Sequence, residues 1–159
     1  MNDIKNLKVY FASPWFNPEQ AEREERVKGK LRSLGFNVFS PKDNCNLSPI
    51  SDAAIRDKVF NDNCTNIEDA DIVFAITDGK DMGTIWEAGY ACGYNKLLSS
   101  AGCNHIKIVY YCETLGPNGQ FNLMLAQSGD IVITKFEDLD KLPQLIEEGK
   151  GFAYAGIIE

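Results

Sequence analysis

The sequence predicts an α/β fold, a five-stranded parallel sheet covered by helices on both faces. Three observations carry this expectation. Short apolar runs, β-branched or aromatic in part, alternate five times with longer helical patterns, as in a parallel sheet whose strands are buried on both sides. Residues that start or stop helices stand between the runs. No internal repeat, low-complexity segment or linker divides the 159 residues, so residues 1–159 read as a single domain.

Residues 7–13, LKVYFAS, read as a buried first strand. Asn17 then stands as an N-cap with Pro18 at the first helical position, and AEREERVKGKLRSL carries the helix to Gly35. Its run of charges reads as a solvated face. Residues 36–40 form strand two, 41–50 a loop rich in Asn, Pro and Ser, and Ser51-Asp52 caps a helix to about Glu68. Strand three, DIVFAIT at 71–77, leads through the turn DGKD into the Gly-rich helix MGTIWEAGYACGYNKLL. Strand four covers 105–112, and a loop 113–120. A short helix covers 121–127, strand five 130–134, a last helix 136–148 and a tail 149–159. Right-handed crossovers between such elements favour the strand order 2-1-3-4-5, a flavodoxin-like, Rossmann-like three-layer arrangement. Ligands then bind beyond the carboxyl ends of the strands, here segments 12–18, 41–50, 77–90 and 113–124.

Composition narrows the function classes. There are 16 basic and 23 acidic residues, a formal charge of −7, and no Lys/Arg cluster. Such a chain is a poor partner for a nucleic-acid backbone. The five cysteines (Cys45, Cys64, Cys92, Cys103 and Cys112) are odd in number and form no CxxC pair, and His105 is the only histidine. No zinc site is expected, and reduced thiols in a cytoplasmic protein are. The N-terminus lacks a signal-peptide pattern, and no apolar run approaches the roughly 20 residues of a membrane span. Neither a Walker motif nor GxGxxG is present, and the loop after strand one has no glycine, against a dinucleotide cofactor. No cofactor or metal is expected.

Three places offer chemistry. Asp81 ends the loop after strand three, and Glu87 follows in the next helix among Ile85, Trp86, Ala88, Gly89, Tyr90 and Ala91. A carboxylate that interrupts an apolar stretch is either exposed on one face or held in a pocket by partners. Gly83, Gly89 and Gly93 recur along that helix, where each glycine costs about 1 kcal/mol relative to alanine. Such glycines usually mark close approach of a backbone or ligand. Trp15 and Phe16 stand just beyond the first strand, either as packing under a loop or as a platform for a flat ring. Tyr10 lies within that strand, and its hydroxyl needs a partner if buried. It reads as a core tyrosine or as a group that directs a neighbouring carboxylate.

These pieces resemble a known family. YFASPWF, PKDN, NDN with IEDADIVFA, DMGTIWEAGYA and FNLM, in this order and nearly spanning the chain, are similar to nucleoside 2-deoxyribosyltransferases. The most specific parts are D-x-G-x-x-x-E-x-G-Y-A and the triplet NLM. The resemblance implies that Glu87 is the nucleophile, attacking the anomeric carbon to leave a covalent deoxyribosyl-enzyme that a second base resolves. It implies that Tyr10 orients Glu87 and that Asp81 binds the 5′ end of the sugar and works near the base. Phe16, with Trp15, becomes a wall of the base pocket. Asp43 of PKDN and Gly83 of the nucleophile motif join the substrate-binding set. Asn122 and Met124 match residues that a neighbouring subunit places over the sugar, which implies a dimer-based homo-oligomer, as large as a hexamer, with a shared site. The tail AYAGIIE implies that Glu159, as the last residue, folds a free terminal carboxylate into the site, near the base or the tyrosine. The implied substrates are a deoxynucleoside and a free nucleobase.

Two positions depart from the family pattern. Asn63 stands where many relatives carry an aspartate near the base, which leaves Asp81, Asp62 or water as the proton donor. Cys45 occupies a place where a base-reading glutamine occurs, so base preference does not carry over. Two rival readings remain at this stage. One is an N-glycosidase of deoxynucleosides or their 5′-monophosphates, against which Asp81 argues because it would repel a phosphate dianion. The other is a non-catalytic nucleotide-binding module.

Overall fold

The structure is a computed structural model that describes residues 4–44, 52–149 and 154–159. Cys45, Ser51 and the rest of segments 45–51 and 150–153 lie outside the described residues. Among the described residues there are seven strands: β1 (Lys8–Ala12), β2 (Asn37–Phe39), β3 (Ile72–Ile76), β4 (Lys107–Tyr111), β5 (Gln120–Phe121), β6 (Ile131–Ile133) and β7 (Ile157–Ile158). Five of them form the main sheet in the order β2-β1-β3-β4-β6, every pair parallel. This is the flavodoxin-like order expected from the sequence, with β6 in the place of the fifth strand.

Strand alternation assigns each side chain to a layer. Val9 and Phe11 of β1 pack with Val27 and Leu31 of α1 (Pro18–Ser33) and with Leu139 and Leu142. Tyr10 and Ala12 turn to the opposite face, against Ile67 of α3 (Ala53–Glu68) and Ala88 and Ala91 of α4 (Met82–Ser100). This alternation points Tyr10 at the helix that carries Glu87. Capping follows the sequence reading. Asn17 Oδ1 accepts from Gln20 N with Pro18 in the first turn, and Asp52 accepts from Ile55 N. No helix among the described residues is long and apolar enough to cross a membrane.

Five local expectations are corrected. The charged run of α1 is not simply a solvated face: Arg23, Glu24 and Lys28 are buried. Lys28 Nζ lies 2.9 Å from Glu24 and 2.7 Å from Asp43, Lys42 closes on Glu24 at 3.0 Å, and Ser40 Oγ donates to Glu24. Pairing is what lets these charges leave water. Segment 41–50 begins as a helical turn, α2 (Pro41–Asn44), rather than a loop. The expected last helix divides into a 3-10 turn (Phe136–Lys141) and α6 (Leu142–Glu148). Pro143 has no N–H to give the carbonyl four residues back, so it fits only the first turn of an α-helix. Phe121 belongs to β5, and the short helix α5 starts later (Leu123–Ser128), capped by Asn122. Finally, a Cβ on Gly89 or Gly93 meets nothing within 4 Å, so neither marks a close approach among the described residues.

A second, two-stranded parallel sheet pairs β5 with β7, Gln120 opposite Ile157 and Phe121 opposite Ile158. Tyr154 packs its ring on Phe121 at 5.2 Å. Two-residue strands are too short to show any periodicity, so the sequence reading leaves this part as loop and tail.

Candidate active site

The β1 and α4 layers meet at one hydrogen bond. Tyr10, with no exposed surface, donates from its hydroxyl to Glu87 Oε1 at 2.6 Å. The buried phenol thus has its partner, and both sequence readings of Tyr10 hold together: it is a core tyrosine and it directs a carboxylate. Its ring stacks on Phe39 of β2, centroids 5.7 Å apart, which holds the hydroxyl in place.

Burial dominates the electrostatics of Glu87. It raises the carboxyl to about 7, against the bond from Tyr10, which lowers it, and with the negative charge of Asp81, which raises it further. Tyr10 itself is pushed far above the ordinary phenol range by burial and by Glu87 beside it, so it remains a proton-bearing donor. A carboxyl raised toward neutrality in a protected place is a signature of functional sites.

Asp81 is the N-cap of α4, its Oδ2 accepting from Thr84 N at 2.8 Å. Its other oxygen is outside that cap bond. At Gly83 a Cβ would stand 3.2 Å from Asp81 Oδ2, so the glycine keeps room at the carboxylate. Trp15 and Phe16 lie ring against ring at 5.2 Å, with Phe16 70% exposed. Phe16 is therefore not core packing, while Trp15 beside it is half-buried. Gln20, which sequence reasoning passed over, braces this pair. Its Oε1 accepts from Phe16 N at 2.9 Å, and a Cβ at Gly79 would meet its Nε2 at 3.1 Å. It therefore bonds the loop after β1 and lies close against the loop after β3. The helix pattern hid it, because a glutamine in a first helical turn gives no signal.

Other expected residues lie elsewhere. Asp43 is bonded by Lys28 Nζ and Arg32 Nη2, both at 2.7 Å, and shares no bond with Tyr10 or Glu87. It serves the charge cluster of α1. Asn63 is half-buried on α3. Its neighbour Cys64 interacts electrostatically with both Tyr10 and Glu87, and burial, Glu68 and Glu87 push its thiol up. Asn122, Met124 and Glu159 line a cavity of about 540 Å³ together with Ile85, Leu115 and Phe121, and neither Tyr10 nor Glu87 lines it. Ile85 and Glu87 are two residues apart on α4, roughly 200° around a helix, so their side chains leave it on different sides. Tyr10, Glu87 and Asp81 interact within one chain, whereas Asn122, Met124 and Glu159 line a cavity that Tyr10 and Glu87 do not line.

The carboxylates of Glu24, Glu25 and Asp43 lie within 4.8 Å of one another. Lys28 Nζ already bonds all three, so their oxygens answer an ammonium rather than an empty metal position. The four described cysteines are unpaired.

A family model for nucleoside 2-deoxyribosyltransferases matches residues 9–140, a span that contains Tyr10, Asp81, Glu87, Asn122 and Met124. The chain belongs to this family. Among solved structures, a 2-deoxyribosyltransferase of the psychrotolerant bacterium Bacillus psychrosaccharolyticus is 29% identical with a TM-score of 0.69, covering 84% of this chain and 90% of that one. A CMP N-glycosidase of Clostridium botulinum (20% identity, TM-score 0.54, coverage 86% and 98%) shares the fold. So does a conserved protein of Enterococcus faecalis V583 (18%, TM-score 0.54, coverage 90% and 96%). No curated protein sequence matches the chain. Family membership places the chain among the nucleoside 2-deoxyribosyltransferase enzymes, and the two more distant structures show the fold alone.

Proposed function

We propose that this protein transfers the 2-deoxyribosyl group between nucleobases by double displacement, with Glu87 as the covalent nucleophile. The observation that carries the reading is the 2.6 Å bond from buried Tyr10 to Glu87 Oε1. The bond fixes one carboxylate oxygen and leaves the other to attack the anomeric carbon. The leaving base departs through an oxocarbenium-like transition state, whose positive charge the Glu87 carboxylate also stabilises. A second base then attacks the deoxyribosyl-glutamate, so the β configuration is retained. A 2-deoxy sugar suits this path because it lacks the electron-withdrawing 2′-hydroxyl.

In this reading Asp81 accepts from the sugar's 5′-hydroxyl, and Trp15–Phe16 stacks on the base. Proton delivery to the leaving base falls to Asp81, Asp62 or water, since Asn63 carries no acidic proton. Asn122 and Met124 close over the sugar of a second copy's site. The separation of these two residues from Glu87 within one chain supports a shared, dimer-based assembly, and Glu159 joins them at that contact. The reading places the protein in the cytoplasm, with a deoxynucleoside and a free nucleobase as its partners and no cofactor.

The test is a chromatographic assay with deoxyinosine, with and without free cytosine. Deoxycytidine formed only when cytosine is present supports transfer. Hypoxanthine released equally fast in both tubes means hydrolysis instead, and no reaction with any deoxynucleoside removes the proposal.

The attack requires ionised Glu87, so kcat/KM should rise with pH along an acid limb near 7. Tyr10→Phe removes the bond that favours the ionised form, so the limb should move to higher pH as activity falls. A limb near the ordinary carboxylate range in both proteins would refute this assignment.

A further inference from the structure

The exposed end of the chain has one specific attachment. Glu159 N donates to Phe121 O at 3.1 Å, and Leu123 N donates to Glu159 O at 3.3 Å. These two bonds grip the main chain on either side of Asn122. Within that grip the Asn122 side chain accepts from Met124 N at 3.0 Å and from Leu125 N at 3.4 Å, which starts α5. The next residues outward are poorly anchored by packing: Leu123 is 48% and Met124 72% exposed. Phe121 itself is buried (3% exposed) and anchors β5, so the support that the exposed residues beyond it lack comes from main-chain pairing with β7. The Tyr154 ring on Phe121, and its hydroxyl donating to Gly119 O at 3.5 Å, bring the tail to this spot.

We propose that residues 157–159 are a positioning strap: through the main chain of Glu159, they hold the Asn122–Met124 turn in the shape that reaches over the sugar. This rests on the reading above, in which Asn122 and Met124 contact the sugar, and it assigns the end of the chain a role different from a carboxylate beside the base. The Glu159 side chain is exposed and takes no part in either bond. Because the turn serves the neighbouring copy's site, the strap of one chain governs substrate binding in another.

Three variants of the full chain separate the possibilities. Glu159→Ala keeps the N–H and the main-chain oxygen. Glu159→Pro removes the N–H that Phe121 O accepts. Deletion of 157–159 removes both bonds. Two readouts are taken: hydrogen exchange at the Leu123 amide, and KM against kcat for deoxyinosine. The proline variant and the deletion are expected to raise KM about tenfold, the effect of one or two net hydrogen bonds. The deletion should also speed Leu123 exchange about tenfold. The acid limb of the pH profile stays in place, because Tyr10 and Glu87 are untouched, and in Glu159→Ala the Leu123 amide exchanges at the parent's rate. An alanine variant as impaired in KM as the proline variant, with Leu123 exchange at the parent's rate, would overturn the strap in favour of the Glu159 side chain. Unchanged exchange and KM in the deletion would overturn any role of the tail. If the parent protein cleaves no nucleoside, the proposed function fails, and the exchange readout alone still decides whether the tail holds the turn.

Discussion

Glu87→Gln should cut deoxyribosyl transfer by about a thousandfold or more while leaving the protein folded and, above pH 7, more stable than the parent. Glutamine keeps an oxygen for the Tyr10 hydroxyl, so no buried donor is orphaned, but it cannot form the glycosyl ester. The stability gain follows from the raised carboxyl. Its folded-state value of about 7 lies above the ordinary 4.5. The native state therefore holds the proton more tightly than the unfolded chain between those values, and stability falls as pH rises through that window. Removing the ionisable group removes the loss. Denaturant unfolding at pH 8 and at pH 4 checks the sign: the variant gains at pH 8, and the gain vanishes at pH 4. Equal activity in the two proteins would remove Glu87 from the chemistry.

Lys28→Met is the substitution with the largest expected cost to stability, about 3 kcal/mol or more. Lys28 is 2% exposed and bonds Glu24, which has no exposed surface, as well as Glu25 and Asp43. Methionine fills the space of the stem, but it leaves the buried Glu24 with only Lys42 and Ser40 as partners. Urea unfolding should show a lower midpoint with an unchanged slope. The kinetic constants of the folded fraction should not move, because Lys28 touches none of the residues around Glu87. A midpoint within error of the parent would mean that solvent reaches Glu24 in solution.

How far the sequence carries the account depends on the range of the forces involved. The main sheet follows from local patterns: five apolar runs, Asn17 and Asp52 as caps, and the crossover rule that orders the strands. The Tyr10–Glu87 pair also follows, once alternation turns Tyr10 toward the face that α4 covers. The charges of Arg23, Glu24 and Lys28 misled because burial of an ion depends on partners distant in sequence, such as Ser40, Lys42, Asp43 and Glu113, and periodicity does not register those. Asp43 was drawn into the site by its motif, whereas the structure spends its carboxylate on Lys28 and Arg32. The β5–β7 pairing rests on main-chain bonds between short strands and the brace at Gln20 on one side-chain bond to Phe16 N, and no compositional signal marks either. Pro143 is the opposite case, a clear local signal that divides the last helix and that the helical pattern around it overrode.

The central claim is that Glu87 bonds covalently to the sugar. It is tested most directly by acid-quenching the protein during incubation with deoxyinosine and no acceptor base, then weighing its peptides. The account predicts a mass gain of one deoxyribosyl group on the peptide that contains Glu87. The adduct should disappear when cytosine is added and deoxycytidine forms, and it should be absent from Glu87→Gln. Turnover without any adduct on that peptide, or turnover that survives Glu87→Gln, would contradict the account.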